Sequence, residues 1–517
     1  MTPAPLELSA QELESLIERV REKRLLDEDY KKLEALGTTI AYLSQVVNDK
    51  SVSIQRLLKM LFGAKTEKTE KVTGKGKATE KDKPQKAKKK KPGHGRNGTP
   101  KYTGAEKVLV SHELTHKDSC PLCSTGKIYL EKNPKSLIRV TGGAPLNAVI
   151  YEMERLRCNL CGEVFTAATP EGVGEEKYDA GAGAMIALLK YGNGFPFYRL
   201  ENLQNSLGMP VPSSTQWDIV RDMYLQINPF FWELINQGAA GNILHNDDTT
   251  IKILSLINEQ AERTGMFTTG IVSIHDHYKI ALFYTGRNHA GENITQLLKQ
   301  RDPKLKPPIQ MCDALSRNRP KEFETILANC LSHGRRRFVD IHDNFPDECG
   351  YILHAIGQVY KIDAEAKDRK LTADERLRLH QNRSGPIMVD LEQWMNTQFD
   401  ERHLEPNSGL GQAIRYMLRH WPELTLFLRE PGAPLDNNIC ERALKKAILN
   451  RKNAMFYKTL RGAEVGDLFM SLIHTCELNN VNPFEYLVAL KENVSHAEAA
   501  ANWMPWNYKT ALDALKT

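Results

Sequence analysis

The chain has 517 residues, 41% of them hydrophobic and 26% charged, with a formal net charge of +6. Those proportions are ordinary for a soluble globular protein, and the length exceeds one compact core, so roughly three or four folded units are expected. No apolar run approaches the roughly 20 residues that span a bilayer, and the first ten residues, with Pro3, Pro5 and Glu7, lack the apolar block of a secretory signal; a cytoplasmic location is expected.

Residues 8–62 read as helix. Leu26, Leu33, Ile40, Val47, Ile54 and Leu61 recur every seven positions, with Leu36, Leu43 and Leu57 three places after three of them, and the seam is interrupted at Asp29 and Lys50. Such a heptad seam predicts a dimerising coiled coil, or else a helical hairpin packed on its own domain. From 65 to 104 the composition turns to Lys, Thr, Gly and Glu with almost nothing apolar to bury, which predicts a disordered basic linker. Its run Lys88, Lys89, Lys90 and Lys91 suits neutralisation of phosphates without regard to sequence.

The nine cysteines are odd in number and scattered, unlike a disulfide framework. Four form two knuckles in residues 105–172, Cys120-Pro-Leu-Cys123 and Cys158-Asn-Leu-Cys161, with hairpins expected at Lys127–Leu130, Leu137–Val140 and Asn147–Arg155. Facing Cys-x-x-Cys pairs give tetrahedral thiolate coordination of a structural zinc ion, so a zinc ribbon that contacts DNA is expected. Residues 173–240 turn helical. Tyr198–Leu207, a Gly-Met-Pro turn and Ser213–Leu225 read as a helix-turn-helix or, equally, as an ordinary packing unit.

Residues 241–342 are mixed. Strands are expected at Ile243–Leu254, Thr268–Ile274, Lys279–Tyr284 and Ile309–Asp313, with helices at Ala290–Gln300 and Lys321–Cys330. This is the order of a ribonuclease-H-like core, making the whole a multidomain α+β protein. Residues 343–430 read as a helical insertion, 431–460 as a returning core helix that spans Leu435–Asn453, and 461–517 as a C-terminal helical segment.

Three acids stand out in that frame. Parity sets Asp247 on the face of Ile243 and Thr249, with Asp248 on the other; Asp313 ends the fourth strand, and Glu441 lies early in a basic helix after an Asn-rich start suited to capping. Neighbouring strands lie about 4.8 Å apart, so the two aspartates, completed by Glu441, could hold a pair of Mg²⁺ or Mn²⁺ ions for phosphodiester chemistry. Lys445, Lys446, Arg451 and Lys452 on the same helix are candidate phosphate contacts. Cys330-Leu-Ser-His333 with Arg335 is too little for a zinc site, so His333, Arg335 and Asp248 are taken as supports of the acids.

Several stretches carry a family likeness. Leu61-Phe-Gly-Ala-Lys-Thr-Glu-Lys68, Gly93-His-Gly-Arg96, Phe197-Tyr-Arg199, His245-Asn-Asp-Asp-Thr249, Cys330-Leu-Ser-His-Gly-Arg-Arg-Arg-Phe338, Asp436–Arg442, Arg451–Asn453 and Asn482-Pro-Phe-Glu-Tyr-Leu487 run through nearly the whole chain. Together they resemble the DDE transposases of the insertion-sequence-66 family. The resemblance implies that Asp247, Asp313 and Glu441 are the metal-binding triad. It also implies binding to inverted-repeat ends and target DNA, 3′-end cleavage and strand transfer, and a homodimer or higher synaptic oligomer. Accessory proteins of the same element, and a place at the bacterial nucleoid, belong to the same expectation. The chain departs from the pattern with Asp248 for the usual Glu and Ala314 for Gly. Two rivals remain: a silent DNA-binding regulator derived from such an enzyme, and a structure-specific nuclease on the same core. A zinc hydrolase is disfavoured, since four thiolates leave the metal no open position.

Overall fold

The computed structural model of the protein describes most of residues 10–36, isolated positions between 117 and 129, residues 143–157, and residues 164–516 apart from 175 and 258–262. The seam positions Ile40, Leu43, Val47, Ile54, Leu57 and Leu61, the run Lys88–Lys91, and Cys120, Cys123, Cys158 and Cys161 lie outside the described residues. At the N-terminus, helix α1 (Ala10–Arg21) stops well before Asp29. That buried carboxylate takes two 2.9 Å bonds from the Arg19 guanidinium and a third, at 3.0 Å, from the Leu26 N–H. Of the seam, Leu26 and Leu33 are exposed.

Strands β1 (Arg155–Arg157) and β2 (Val164–Thr166) form a small antiparallel ribbon. The strand expected at Asn147–Arg155 therefore begins only where that stretch ends. Three helices follow: α2 (Ala180–Ala187), capped by the Asp179 carboxylate on the Ala182 N–H at 2.7 Å, α3 (Phe197–Ser206) and α4 (Ser213–Ala239). The last runs far past the expected end at Leu225 and buries Met223, Ile227, Phe230, Phe231, Leu234 and Ile235. It packs against the sheet, behaving as a scaffold helix along most of its length.

The central sheet has five strands, β3 (Ile243–Thr250), β4 (Phe267–Ile274), β5 (Lys279–Gly286), β6 (Ile309–Cys312) and β7 (Ile326–Asn329), in the order β5-β4-β3-β6-β7. The first three make an antiparallel meander; β6 and β7 join parallel. With helices on its flanks this is a mixed α+β fold compatible with a ribonuclease-H-like core. β4 and β5 are buried on both faces, as a sheet sandwiched by helices requires, with the Thr268, Thr269 and Ser273 side chains of β4 hydrogen-bonded in place.

Two expected elements differ. β3 ends at Thr250, where Ile251 pairs through its N–H with Met266 and Leu254–Ile257 turns helical. The helix expected over Lys321–Cys330 is instead strand β7, because Ile326–Asn329 find backbone partners in Ile309–Cys312; tertiary pairing overrides a short stretch's local preference.

Crossing helix α5 (Ala290–Leu298) joins β5 to β6, and β7 leads into α6 (Leu331–Ile341). Helices α7 (Pro346–Asp368), α8 (Ala373–Asp400) and α9 (Gly409–Arg419) then form the helical block. Its Ile352, Ile356, Met388, Leu391 and Met417 share one core with Met311, Leu331 and Phe338. The chain returns through α10 (Asn438–Ala454), α11 (Leu460–Leu478) and α12 (Pro483–Glu492) to end on α13 (Tyr508–Leu515). No helix among the described residues is long and apolar enough to cross a membrane.

Helix α11 solves a problem at the sheet's edge. Strand β5 has one neighbour, so every second N–H and C=O points outward, and a buried unpaired amide is costly. A polar residue every four positions on α11 meets them. Asp467 accepts from the Thr285 N–H and hydroxyl, both at 2.6 Å; Ser471 accepts from the Phe283 N–H at 3.0 Å. Thr475 exchanges bonds with Ala281 at 3.0 and 3.2 Å, and Asn479, just past the helix, does so with Lys279 at 3.1 and 2.7 Å.

Ser471→Ala should orphan the Phe283 N–H and lower the unfolding free energy by about 1–3 kcal/mol in urea titrations. Burial pushes the Asp467 carboxyl up to about 7. An acid raised in this way stabilises the fold fully below its unfolded pKa, near 4, and loses that contribution as pH rises through its folded one. The stability of the parent protein relative to Asp467→Asn should therefore fall between about pH 4 and pH 7 and level off above.

Candidate active site

Side chains alternate along β3, so Ile243, His245 and Asp247 face α10 while Leu244, Asn246 and Asp248 face α5. The parallel pairing of β3 with β6 extends only from Ile243↔Ile309 to His245↔Met311. Continuing that register would set Asp247 opposite Asp313, at the point where the strands part. Burial, and next the charge of Asp313, pushes the Asp247 carboxyl up to about 7. Two acids forced together away from water are costly unless a proton or a cation joins them.

β7 delivers the next group. The Cys330 N–H donates to the Cys312 carbonyl at 3.1 Å, and Cys330 then stands at the N-cap of α6, which puts His333 in its first turn. His333 Nδ1 lies 2.6 Å from Asp313 Oδ1, and its Nε2 lies 3.7 Å from Glu441 Oε1. The close Asp313 carboxylate, then Cys330, pushes the ring up to about 10, which favours the imidazolium. Neither contact has the alignment of a hydrogen bond, and Asp313 Oδ1, His333 Nδ1 and Glu441 Oε1 remain buried without a hydrogen-bond partner. Ligand atoms of Asp313, Cys330 and His333 lie within 4.8 Å of one another, a small cluster able to coordinate a metal ion once the ring gives up a proton.

Glu441 arrives in the first turn of α10. At the Asn-rich start the Asp436 carboxylate accepts from the Asn438 N–H at 3.1 Å, while the Asn437 side chain makes no cap bond. Asn437, wholly buried, reaches across instead: its Nδ2 donates to the Asn246 carbonyl at 3.0 Å and its N–H to Cys330 Sγ at 3.3 Å. Its Oδ1 lies 3.1 Å from Nδ1 of His245. Burial holds His245 down at about 4, so the ring is neutral and donates. One amide thus ties the start of α10 to the central strand and to the residue that caps α6. Gly270, paired with Asp247 on β4, allows the close approach. A Cβ there would lie 3.0 Å from Leu444, and Cys440 Sγ donates to the Gly270 carbonyl at 3.2 Å.

The other expected residues are distributed unevenly. Asp248 is turned away: its carboxylate accepts from the Thr269 hydroxyl at 2.6 Å and from the Ala290 N–H at 2.9 Å, holding the start of α5. It is a support of the fold on the far face of β3. Arg335 lies half-buried on α6 within electrostatic range of Tyr360. Lys446 bonds the Gly192 carbonyl at 3.0 Å and Glu477 at 2.7 Å, and Arg451 bonds Thr249 and Thr250, so both fasten α10 to the body of the protein. Lys445 and Lys452 are exposed. Sequence reasoning missed His245, Gly270 and Asn437. The signal was present in Asp-Asn-Asn before Glu441, but it was read as local capping.

Comparison with known proteins gives the same direction. The profile described as Transposase IS66 family matches residues 176–465, more than half of the chain. The uncharacterized protein y4hP of Sinorhizobium fredii (strain NBRC 101917 / NGR234) is 25% identical over 79% of this chain and 76% of its own length. From the same organism, y4jD is 32% identical over 38% of this chain and y4qI 30% identical over 38%. The chain spans 39% of y4jD and 36% of y4qI.

Asn437→Ala should leave the Asn246 carbonyl and the His245 donor buried and unmet, lowering the unfolding free energy by about 2–4 kcal/mol. Denaturant unfolding checks the loss.

Proposed function

Because the chain belongs to the transposase IS66 family, we propose that it binds the inverted repeats of a mobile element, cleaves their 3′ ends and joins them to target DNA. The observation that carries this reading is the convergence of Asp313, Glu441 and His333 beside Asp247, with one buried oxygen each of Asp313 and Glu441 that makes no hydrogen bond and faces only the His333 ring. Those oxygens fit hard divalent cations, which bind oxygen ligands and relieve the repulsion between neighbouring carboxylates. Asp247, Asp313 and Glu441 would hold two Mg²⁺ or Mn²⁺ ions, whose chemistry is to activate a water or 3′-hydroxyl and stabilise the leaving oxygen.

The rest of the site is the work of this chain's residues. His333 holds a proton between Asp313 and Glu441. Asn437 and Gly270 fix the distance of Glu441 from β3. Lys445, one helical turn beyond Glu441, and Lys452 further along offer ammonium groups to DNA phosphates, while Lys446 and Arg451 hold the helix still. Within the same reading the N-terminal seam joins protomers, Lys88–Lys91 add unspecific affinity, and Cys120, Cys123, Cys158 and Cys161 hold a structural zinc in an end-recognising ribbon. The setting would be the cytoplasm, on the nucleoid.

Purified protein with Mn²⁺ or Mg²⁺ and DNA carrying the element's own ends tests it. Asp247→Asn, Asp313→Asn and Glu441→Gln should each lower cleavage and joining by roughly 10³-fold or more while end binding persists. Asp248→Asn should keep the chemistry and lose stability. Undiminished joining by Asp313→Asn would refute the assignment, and cleavage without any joining to a target plasmid would point to a nuclease.

A further inference from the structure

The strongest backbone anomaly near the site is at the far end of α10. Met455 adopts φ 68° and ψ −41°, and the Phe456 N–H bonds the Ala454 carbonyl at 2.9 Å. That is a tight γ-turn whose central residue has positive φ, a strained conformation that a methionine adopts only when its surroundings enforce it. Enforcement comes from both flanks. On one side the Met455 N–H closes on the Arg451 carbonyl at 2.8 Å. On the other, Tyr457 pairs with Ile253, its N–H bonds the Lys252 carbonyl at 2.9 Å, and its carbonyl accepts from the Leu254 N–H at 2.9 Å. The buried Tyr457 hydroxyl is held by Asn450 at 2.8 Å.

What this rigid frame presents is apolar. Met455 is 68% exposed and Phe456 41% exposed. Exposed lysines flank the pair in the chain, Lys452 before it and Lys458 after it, with Lys445 further back toward Glu441. A protein partner would favour a broad apolar surface; a rigid apolar tip flanked by exposed lysines suits a polyanion with stacked flat bases inside it.

We propose that Met455 and Phe456 form a wedge that stacks on an unpaired or opened base step of duplex DNA whose backbone runs along α10. This rests on the DNA reading above. Met455 lies 14 residues from Glu441, about 21 Å along the helix axis, so the opened step sits about six base pairs from the scissile phosphate. Lys445 and Lys452 hold the intervening phosphates. Strain stored in the turn keeps the tip proud of the surface and removes the ordering cost from the binding step.

The test compares two duplexes of about 30 base pairs, one fully paired and one with a single mismatched step carrying 2-aminopurine, against the full-length protein. The parent should bind the mismatched duplex about tenfold more tightly and change the probe's fluorescence by stacking. Phe456→Ala should lose both effects while its affinity for the paired duplex stays within about twofold, and Phe456→Tyr should retain both. Met455→Gly relaxes the turn, so it should melt no lower than the parent and still lose most of the preference. Equal preference in the parent and Phe456→Ala, or a Met455→Gly protein that keeps it in full, overturns the proposal. So does a Phe456→Ala change that alters only the oligomeric state, which would make the tip a contact with a second copy. A parent that binds neither duplex overturns the DNA reading along with it.

Discussion

The arrangement of the acids depends on one buried amide. Asn437 bonds the Asn246 carbonyl, the His245 ring and the Cys330 thiol, so it touches the central strand and the cap of α6 at once. A buried amide with its donors and acceptor matched is a rigid spacer, whereas an unmatched one would be a defect. Asp247 is fixed by β3, His333 by α6 and Glu441 by α10, and Asn437 is where those three elements meet. Gly270 sets the remaining distance by letting Leu444 and Cys440 rest on the sheet. The carboxylates themselves repel, so without this frame they would separate.

The opposite face of β3 is held by a second set of polar contacts. Gln310 donates to Asn246 at 2.8 Å and to the Asn318 carbonyl at 2.7 Å, and Asp248 holds the start of α5. The central strand is therefore polar on both sides, which is unusual for the middle of a sheet. Both faces are satisfied by side chains from elements that arrive later in the chain. That is how a strand can carry acids in a protein interior without unravelling.

Much of this architecture was legible in the residues. The stretches read as strands at Thr268–Ile274 and Lys279–Tyr284 fall in β4 and β5, and parity along β3 put Asp247 and Asp248 on opposite faces, as found. Residues 343–430, read as helical, carry α7, α8 and α9. What escaped is long-range in origin. Strand β7 has only four residues and a helical-looking approach, so nothing short of its partner β6 could reveal it. Lys446 and Arg451 look like free cations in sequence, and only the fold supplies the Gly192, Glu477 and Thr250 groups that occupy them. Asn437 was misread for the same reason: capping is a local interaction, while its real partners lie 107 to 192 positions away.

The row of side chains on α11 has a consequence for biosynthesis. Thr285 and Asp467 are 182 positions apart in the chain. At elongation of about 5–20 residues per second, strand β5 waits roughly 9–36 s on the ribosome before the helix that seals it emerges. During that interval an apolar strand offers unpaired amides to any neighbouring chain, the condition under which intermolecular strand pairing begins. Yield of soluble protein should thus depend on translation speed and on the chaperones present during those seconds.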